Sequence, residues 1–322
     1  MAKKKIIAIA FSDLHLNMYS KFNEHKCRTI KGFDVLFRIA HLCNKYDCPA
    51  LFCGDLFHKP ENIDADLYDF VQQKFFELNL INHKIGFKVY AISGNHDINS
   101  VNTIDNPKPS WVSRFANQYD WLECIDCKSI RLGKYILHGV PYIDRNLGLN
   151  KYLGSISAAI VLLHTDYPGA KDTDGRPIDS VENLNINQLK PFKLVLCGHI
   201  HKPQRLGKKV YMVGAPQQQR RTDRNCKMGY MEIYDDLSVK FKYWEDYPKF
   251  IDVYGESEIK DDGNYYTVIP KPTSKIIESE HKITKQLTKK QLARRYMKQK
   301  GDKNKTRLKL LTDVLTKGEE LC

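Results

Sequence analysis

The sequence lacks long apolar runs, and this absence excludes membrane-spanning proteins. In 322 residues, no stretch approaches the roughly 18 uncharged apolar residues that a spanning helix requires. The first apolar run, residues 6–11, is short, follows charged residues and carries no small-residue cleavage site. We therefore expect a soluble, cytoplasmic protein with no membrane partner.

The sequence also lacks the even number of cysteines that complete disulfide pairing requires. Nine cysteines are an odd number, which disfavours a full disulfide framework and fits reduced thiols inside a cell. Cys124 and Cys127 form a C-x-x-C pair, but no second pair or nearby histidine supplies the four ligands of a structural zinc site. We interpret both as ordinary thiols at a strand edge.

Positive charge is concentrated in one segment. The chain has a net charge of +13, and residues 271–310 hold 14 Lys and Arg against 3 Asp and Glu, which gives +11 from this segment alone. The preceding residues are nearly neutral. A basic segment of this kind binds nucleic acid or an acidic partner, or is only a solvated surface.

The remaining sequence has the pattern of an α/β protein. Its 42% hydrophobic content argues against wholesale disorder. The apolar segments lack period-two alternation, which predicts strands buried on both faces by helices. The pattern predicts strands at 6–11, 50–53, 88–92, 135–138, 159–164 and 194–197, and helices at 32–46 and 65–80.

The pattern of apolar residues changes in the C-terminal third of the chain. Alternating strands at 210–213, 230–234 and 239–243 predict a second sheet packed against the first, with residues 255–275 as a linker or small subdomain. Two short basic helices are predicted at 285–298 and 306–316, with Leu308, Leu311 and Leu315 on one face. They have too little apolar surface for an independent domain, so we expect them to dock on another molecule.

Residues of metal-ligand type follow the predicted strands. These residues are Asp13 and His15, Gly54-Asp55, Gly94-Asn95-His96-Asp97, His164, and Gly198-His199-x-His201. Loops beyond the carboxyl ends of strands in an open α/β sheet converge on one crevice, so these distant residues can meet. Each motif is weak alone, but five at strand ends together predict a functional site. The glycines allow tight turns that aim the side chains inward.

The ligand types indicate the chemistry. Hydrolysis of a phosphate ester at neutral pH needs an ionised water and neutralised phosphoryl charge, and two cations joined by one carboxylate supply both. Mixed carboxylate, imidazole and amide ligands favour borderline ions over calcium. We therefore expect two divalent metal ions, with Mn²⁺ first and Mg²⁺, Fe²⁺ or Zn²⁺ as alternatives.

The ordered set resembles the signature of calcineurin-like metallophosphoesterases over residues 6–245. The resemblance implies a four-layer α/β/β/α fold with two packed mixed sheets flanked by helices. It implies a bridging role for Asp55 and an acid role for His96, which Asp97 orients. The implied ligands are Asp13, His15, Asp55 and His201 for one metal, and Asp55, Asn95, His164 and His199 for the other.

Within that superfamily, the segment from Gly54 to His58 resembles SbcD-type nucleases rather than protein phosphatases, which carry G-D-x-V-D-R-G there. The resemblance places His58 beside His96 at the scissile phosphate. It extends to residues 213–218 and 227–230. It implies a nuclease subunit of a DNA repair and recombination complex, with DNA and an SMC-like coiled-coil ATPase as partners and a homodimer as one arrangement. The sequence departs from the pattern because only about residues 250–275 remain for a DNA-contacting cap.

The interpretation divides the chain into a nuclease domain at 1–250, a reduced cap or linker at 251–280 and a basic docking tail at 281–322. Two alternatives remain. One is a stand-alone phosphodiesterase or phosphatase that acts on a small nucleotide or a protein. The other is a binding scaffold without catalysis, which the complete set of ligand and acid residues disfavours.

Overall fold

The computed structural model describes residues 4–59, 63–178 and 184–270. Its α-helices are α1 (Cys27–Tyr46), α2 (Ala65–Ile85), α3 (Trp111–Ala116) and α4 (Leu149–Ser155). Short 3-10 helices span Glu24–Lys26, Asn95–Asp97, Asp144–Asn146, Ile186–Leu189, Arg221–Asp223 and Glu256–Glu258. The helix ends follow known rules, since the Asp64 carboxylate accepts the Leu67 N–H at the start of α2 and Gly86 follows its end with φ 65°.

Two mixed sheets of six strands form the centre of the fold. The first contains β1 (Ile6–Phe11), β2 (Ala50–Phe52), β3 (Val89–Ala91), β4 (Leu122–Cys124), β11 (Gly229–Tyr234) and β12 (Val239–Tyr243), in the order β12-β11-β1-β2-β3-β4. The second contains β5 (Ser129–Leu132), β6 (Tyr135–Val140), β7 (Ile160–His164), β8 (Leu194–Gly198), β9 (Gln204–Leu206) and β10 (Val210–Met212), in the order β5-β6-β7-β8-β10-β9.

Strand β1 shows why the chain forms layers. Ile9 and Phe11 pack in a cluster with residues of α1, α2 and α3, whereas Ala8 and Ala10 pack in a second cluster with apolar residues of the other sheet. All four are fully buried, as the absence of alternation in this strand predicts. A third cluster covers the outer face of the second sheet with α4. The expected fold of two packed mixed sheets flanked by helices is therefore confirmed.

The prediction of a second sheet from residues 210–243 is wrong. Strand β11 pairs antiparallel with β1, with Ile9 opposite Glu232, and β12 continues the first sheet beyond β11. Only β10 belongs to the second sheet, where it runs parallel to β8. The second sheet is built mainly from strands expected in the first. Local pattern specifies a strand but not its partner, because pairing depends on contacts distant in sequence.

The region after β12 is more regular than a linker. Strands β13 (Phe250–Val253) and β14 (Tyr265–Val268) form a two-stranded sheet. Of the described residues, 4–252 and 259–267 belong to one compact unit, and 253–258 and 268–270 belong to a second. The predicted helices at 285–298 and 306–316 lie outside the described residues. In the described ranges, each helix is too short or too polar to cross a membrane.

Candidate metal centre

The predicted site residues lie in loops at one end of the two sheets. Asp13 and His15 follow β1, Asp55 follows β2, and Asn95 opens the 3-10 helix after β3. Strands β1, β2 and β3 run parallel, so these loops leave the same edge of the sheet. The loops contact directly, since the Asp13 N–H donates to the Gly54 carbonyl at 2.9 Å and the His15 N–H to the Asp55 carbonyl at 3.0 Å.

The second sheet supplies the remaining histidines. His164 is the last residue of β7, and His199 follows β8, which runs parallel to β7. The His199 N–H donates to both Asp13 carboxylate oxygens at 3.0 and 3.2 Å, which joins the loops of the two sheets. The crevice that the strand-end motifs predict therefore forms between the sheets.

Three groups of described side chains could each hold a metal ion; two consist of predicted ligands, and the third combines His15 with His58 and His96. In the first, ligand atoms of Asp13, His15 and His201 lie within 4.8 Å of one another. The Nε2 atoms of His15 and His201 are 3.1 Å apart. In the second, ligand atoms of Asp55, His164 and His199 lie within the same distance.

Asn95 completes the second group. Its Oδ1 lies 3.0 Å from His164 Nε2 and 2.9 Å from His199 Nδ1. Those two ring nitrogens are 3.3 Å apart. An amide oxygen between two imidazole nitrogens is a donor set that suits a borderline divalent ion.

Asp55 lies between the two groups. Its Oδ1 is 3.4 Å from His164 Nε2, and its Oδ2 is 3.6 Å from His15 Nε2, so each oxygen faces a different group. Burial alone raises the pKa of Asp55, but the neighbouring His164 and His15 rings lower it below its usual range. The residue therefore presents a carboxylate with one oxygen toward each candidate ion.

The tautomers of three histidines fit bound cations. His164 Nδ1–H donates to the Cys53 carbonyl at 2.7 Å, and the outer nitrogens of His199 and His201 face carboxylates of Asp166 and Asp223 at 3.3 Å. When only the outer nitrogen is protonated, the inner nitrogen of each ring carries a lone pair that can bind a cation. These lone pairs point at each other and at oxygens, an arrangement that a metal ion stabilises.

The electrostatics of the crevice also favour positive charge. Burial lowers the pKa of His164, but the Asp55 carboxylate outweighs it and raises the pKa to about 9. Burial lowers the pKa of His15 well below its usual range, so this ring is a neutral electron-pair donor. Its Nδ1 is buried and has no hydrogen-bond partner among the residues that the structure describes. The donor atoms present therefore fit a pair of divalent cations.

Four of these residues have a strained backbone. Asp13, His15, Asp55 and His199 all have positive φ, at 52°, 47°, 63° and 86°. Non-glycine residues rarely adopt this conformation, and such strain concentrates at functional sites.

Two glycines permit the close approach of the loops. Gly54 has φ 94°, and a Cβ there would lie 2.5 Å from His164 Nδ1. Gly94 has an ordinary φ, but a Cβ would lie 2.1 Å from Asp55 Oδ1. The expectation of glycine turns therefore holds at Gly54, whereas at Gly94 the requirement is space beside the carboxylate.

The structure corrects the role expected for Asp97. Its buried carboxylate accepts the backbone N–H groups of Asp55, Leu56, Phe57 and Gly94 at 2.8–3.2 Å. Each oxygen accepts two of them, so Asp97 ties two loops together. It does not orient His96, whose Nδ1–H instead donates to the His58 carbonyl at 2.5 Å.

His58 and His96 lie beside the first group. Their rings stack with centroids 5.7 Å apart and an interplanar angle of 12°, and the His96 centroid is 4.8 Å from that of His15. Burial, followed by the neighbouring His96, lowers the pKa of His58. Both rings line an open cleft of about 480 Å³ together with Asp55, His199 and His201.

Sequence reasoning missed Asp166 and Asp223, which contact the outer nitrogens of His199 and His201. Asp166 stands two residues after His164, and Asp223 is fully buried in the 3-10 helix Arg221–Asp223. A carboxylate near a motif histidine is the available sequence signal, but it is too common to specify the pairing. Carboxylates that accept the outer N–H of a metal-binding histidine orient the ring.

A crevice with two adjoining metal groups and two further imidazoles is characteristic of two-metal phosphoester hydrolases. The family model of calcineurin-like phosphoesterases matches residues 8–203, more than half of the chain. The chain therefore belongs to the calcineurin-like phosphoesterase family, whose members are dimetal-dependent hydrolases of phosphoesters.

No curated protein matches the sequence. Among solved structures, the chain is similar to TT1561 of Thermus thermophilus, with 14% identity and a TM-score of 0.41 over 73% of this chain and 97% of that one. It is also similar to the Pseudomonas putida nuclease MPE, with 15% identity and a TM-score of 0.30 over 64% of this chain and 67% of that one.

Proposed function

We propose that this chain is a two-metal phosphodiesterase that hydrolyses DNA. The observation that carries the proposal is the cleft, in which Asp55 lies between two candidate metal groups and two arginines, Arg28 and Arg220, line the wall. Cationic side chains next to a phosphoester-hydrolysing centre suit a polyanionic substrate better than a neutral one.

The proposed ligands follow the two groups. One metal would be held by Asp13, His15, Asp55 and His201, and the other by Asp55, Asn95, His164 and His199. Two bound cations would make water an effective nucleophile at neutral pH and would offset charge on the phosphoryl oxygens. We propose Mn²⁺ as the physiological ion, because imidazole ligands favour it over Mg²⁺; Fe²⁺ and Zn²⁺ are the alternatives.

His96 is the proposed general acid. Because its Nδ1–H donates to the His58 carbonyl, Nε2 is the atom that can deliver a proton to the leaving oxygen. The bond to a backbone carbonyl fixes the ring without a carboxylate. His58 is stacked beside His96. Its proposed role is to contact the scissile phosphate and to help hold the leaving group.

The proposed context is an SbcD-type nuclease subunit that works with an SMC-like ATPase in DNA repair and recombination. The Gly54 to His58 segment and the basic charge of residues 271–310 support it. The docking segment, residues 281–322, lies outside the described residues.

Substrates of three kinds test the proposal. The purified protein is incubated with labelled duplex and single-stranded DNA, with the diester bis-p-nitrophenyl phosphate and with the monoester p-nitrophenyl phosphate, each in Mn²⁺, Mg²⁺ or chelator. We expect DNA and diester hydrolysis in Mn²⁺, less in Mg²⁺ and none in chelator. An Asp55→Asn preparation controls for contaminating nucleases. Hydrolysis of the monoester alone would favour the phosphatase alternative, and activity that survives chelation would refute the two-metal mechanism.

A further inference from the structure

One wall of the cleft is built around a buried arginine. Arg28, in the first turn of α1, is only 9% exposed, and its guanidinium lies 3.7 Å above the Tyr19 ring. The rings of Phe250 and Tyr265 are 5.3 and 5.4 Å away. One Nη donates to the Gln219 carbonyl at 2.5 Å.

Among the described residues, this cation has no carboxylate at ion-pair distance, although the charge of Asp223 acts on it from farther away. Within the described part of the chain, its hydrogen bonds go to the carbonyls of Lys21 and Gln219, and no carboxylate forms an ion pair with it. Burial lowers the pKa of Arg28. Burying a charge is costly unless an opposite charge accompanies it, so a position next to an open cleft suggests that the partner is a ligand.

A second guanidinium stands on the same wall. The side chain of Arg220 is 63% exposed, and its Nε is 3.7 Å from Asp223 Oδ1, a long ion pair. Asp223 Oδ2 in turn lies 3.3 Å from His201 Nδ1. These contacts place the Asp223 side chain between Arg220 and His201, a candidate ligand of the first metal group.

We propose that Arg28 and Arg220 bind a second phosphate of the substrate, adjacent to the one that is hydrolysed. The inference rests on the proposed function and names its substrate class, a nucleotide chain with at least two phosphates. Guanidinium groups match phosphate oxygens with paired N–H donors, and aromatic contacts hold the Arg28 plane in place. A cleft of about 480 Å³ is in the range that holds a ligand larger than one phosphate group.

Dinucleotides that differ by one phosphate test this site. Cleavage of the internal bond of dTpdT, pdTpdT and dTpdTp in Mn²⁺ is followed by chromatography of the products. We expect the wild-type protein to show a kcat/KM at least about 10-fold higher for one of the two substrates with a terminal phosphate, the value of a charge-assisted hydrogen-bonded pair. The end that carries the preferred phosphate identifies the strand direction across the cleft.

Variants of the two arginines test whether these side chains cause the preference for a terminal phosphate. The preference is the kcat/KM for the better substrate with a terminal phosphate divided by that for dTpdT. Arg220→Gln should bring this ratio to within about twofold of unity, and Arg220→Lys should restore part of the preference. Arg28→Lys, checked for folding by circular dichroism, should reduce the ratio while keeping the charge. Arg131→Gln, an exposed arginine on β5 away from the cleft, should leave both ratio and rate unchanged.

The outcomes separate this inference from the proposed function. If the wild-type protein cleaves all three dinucleotides equally, or if Arg220→Gln keeps the preference, the second phosphate site is wrong and the nuclease assignment stands. If none of the dinucleotides is cleaved while p-nitrophenyl phosphate is, the phosphodiesterase assignment itself fails.

Discussion

The Asp223 carboxylate lies 3.3 Å from Nδ1 of His201 and accepts the backbone N–H groups of Gln219 and Arg220 at 2.9 and 3.2 Å. One buried carboxylate thus fixes a candidate ligand and the loop that carries the cleft arginine. Its pKa is lowered because the His201 ring overcomes the effect of burial, so it is charged near neutrality.

Asp223→Asn should weaken Mn²⁺ binding by about 10- to 100-fold, because loss of the charge lowers the basicity of the His201 ring. Isothermal titration calorimetry measures the affinity, and circular dichroism reports folding. The matched control is Asp252→Asn, which removes a carboxylate that pairs with Arg221 and Arg224 but touches no histidine. Equal affinities in Asp223→Asn and wild type would show that Asp223 only supports the loop.

Asp55→Asn should abolish hydrolysis and reduce the affinity for both metal ions, since each carboxylate oxygen faces one candidate group. The change keeps the shape of the side chain and suits the positive φ of 63°. Elemental analysis counts the metals. Asp47→Asn, an exposed residue with φ 50°, repeats the same substitution in the same backbone conformation outside the cleft and should have no effect. Two metals per chain in Asp55→Asn would refute the bridge.

His96→Ser should leave metal content unchanged and slow the cleavage of DNA by roughly 10²- to 10⁴-fold, the value of general acid catalysis. The loss should be much smaller for bis-p-nitrophenyl phosphate, whose leaving group departs without a proton. His83→Ser, on the exposed surface of α2, is the control. Equal losses on both substrates would assign His96 to substrate positioning and not to proton transfer.

The tail prediction concerns residues beyond the described range. Deletion of residues 280–322 should spare hydrolysis of a small diester, because every proposed ligand lies before residue 202. It should abolish association with the ATPase and weaken DNA binding most visibly at moderate salt, where release of counterions drives association.

Changing Leu308, Leu311 and Leu315 to Ser should reproduce the loss of ATPase association, since an apolar helix face is the expected contact. Co-purification measures it, and changing Lys298, Lys300 and Lys303 to Gln serves as the charge control for the tail. If the truncated chain unfolds, or still binds the ATPase with full affinity, the docking role is wrong.

The sequence by itself located most strands and the residues that meet in the crevice. Strand β1 has the predicted bounds of residues 6–11, because a run without polar residues must be buried on both faces wherever it pairs. His164 and the Gly198-His199 pair were recognised because strand ends of parallel sheets bring their loops together. These signals lie in short stretches of sequence, so they can be recognised without knowing which strands or residues each stretch contacts.

The tertiary structure decided which groups meet. Three features depend on contacts between residues distant in the chain. They are the pairing of β11 with β1, the hydrogen bonds from backbone N–H groups to Asp97, and the contact of Asp223 with His201. In the sequence, Arg28 is an ordinary residue of a helix. Only its burial against the aromatic rings of the cleft wall indicates a binding role. Composition and period specify what each segment can form, whereas the packing of the whole chain determines the neighbours that a polar side chain finds.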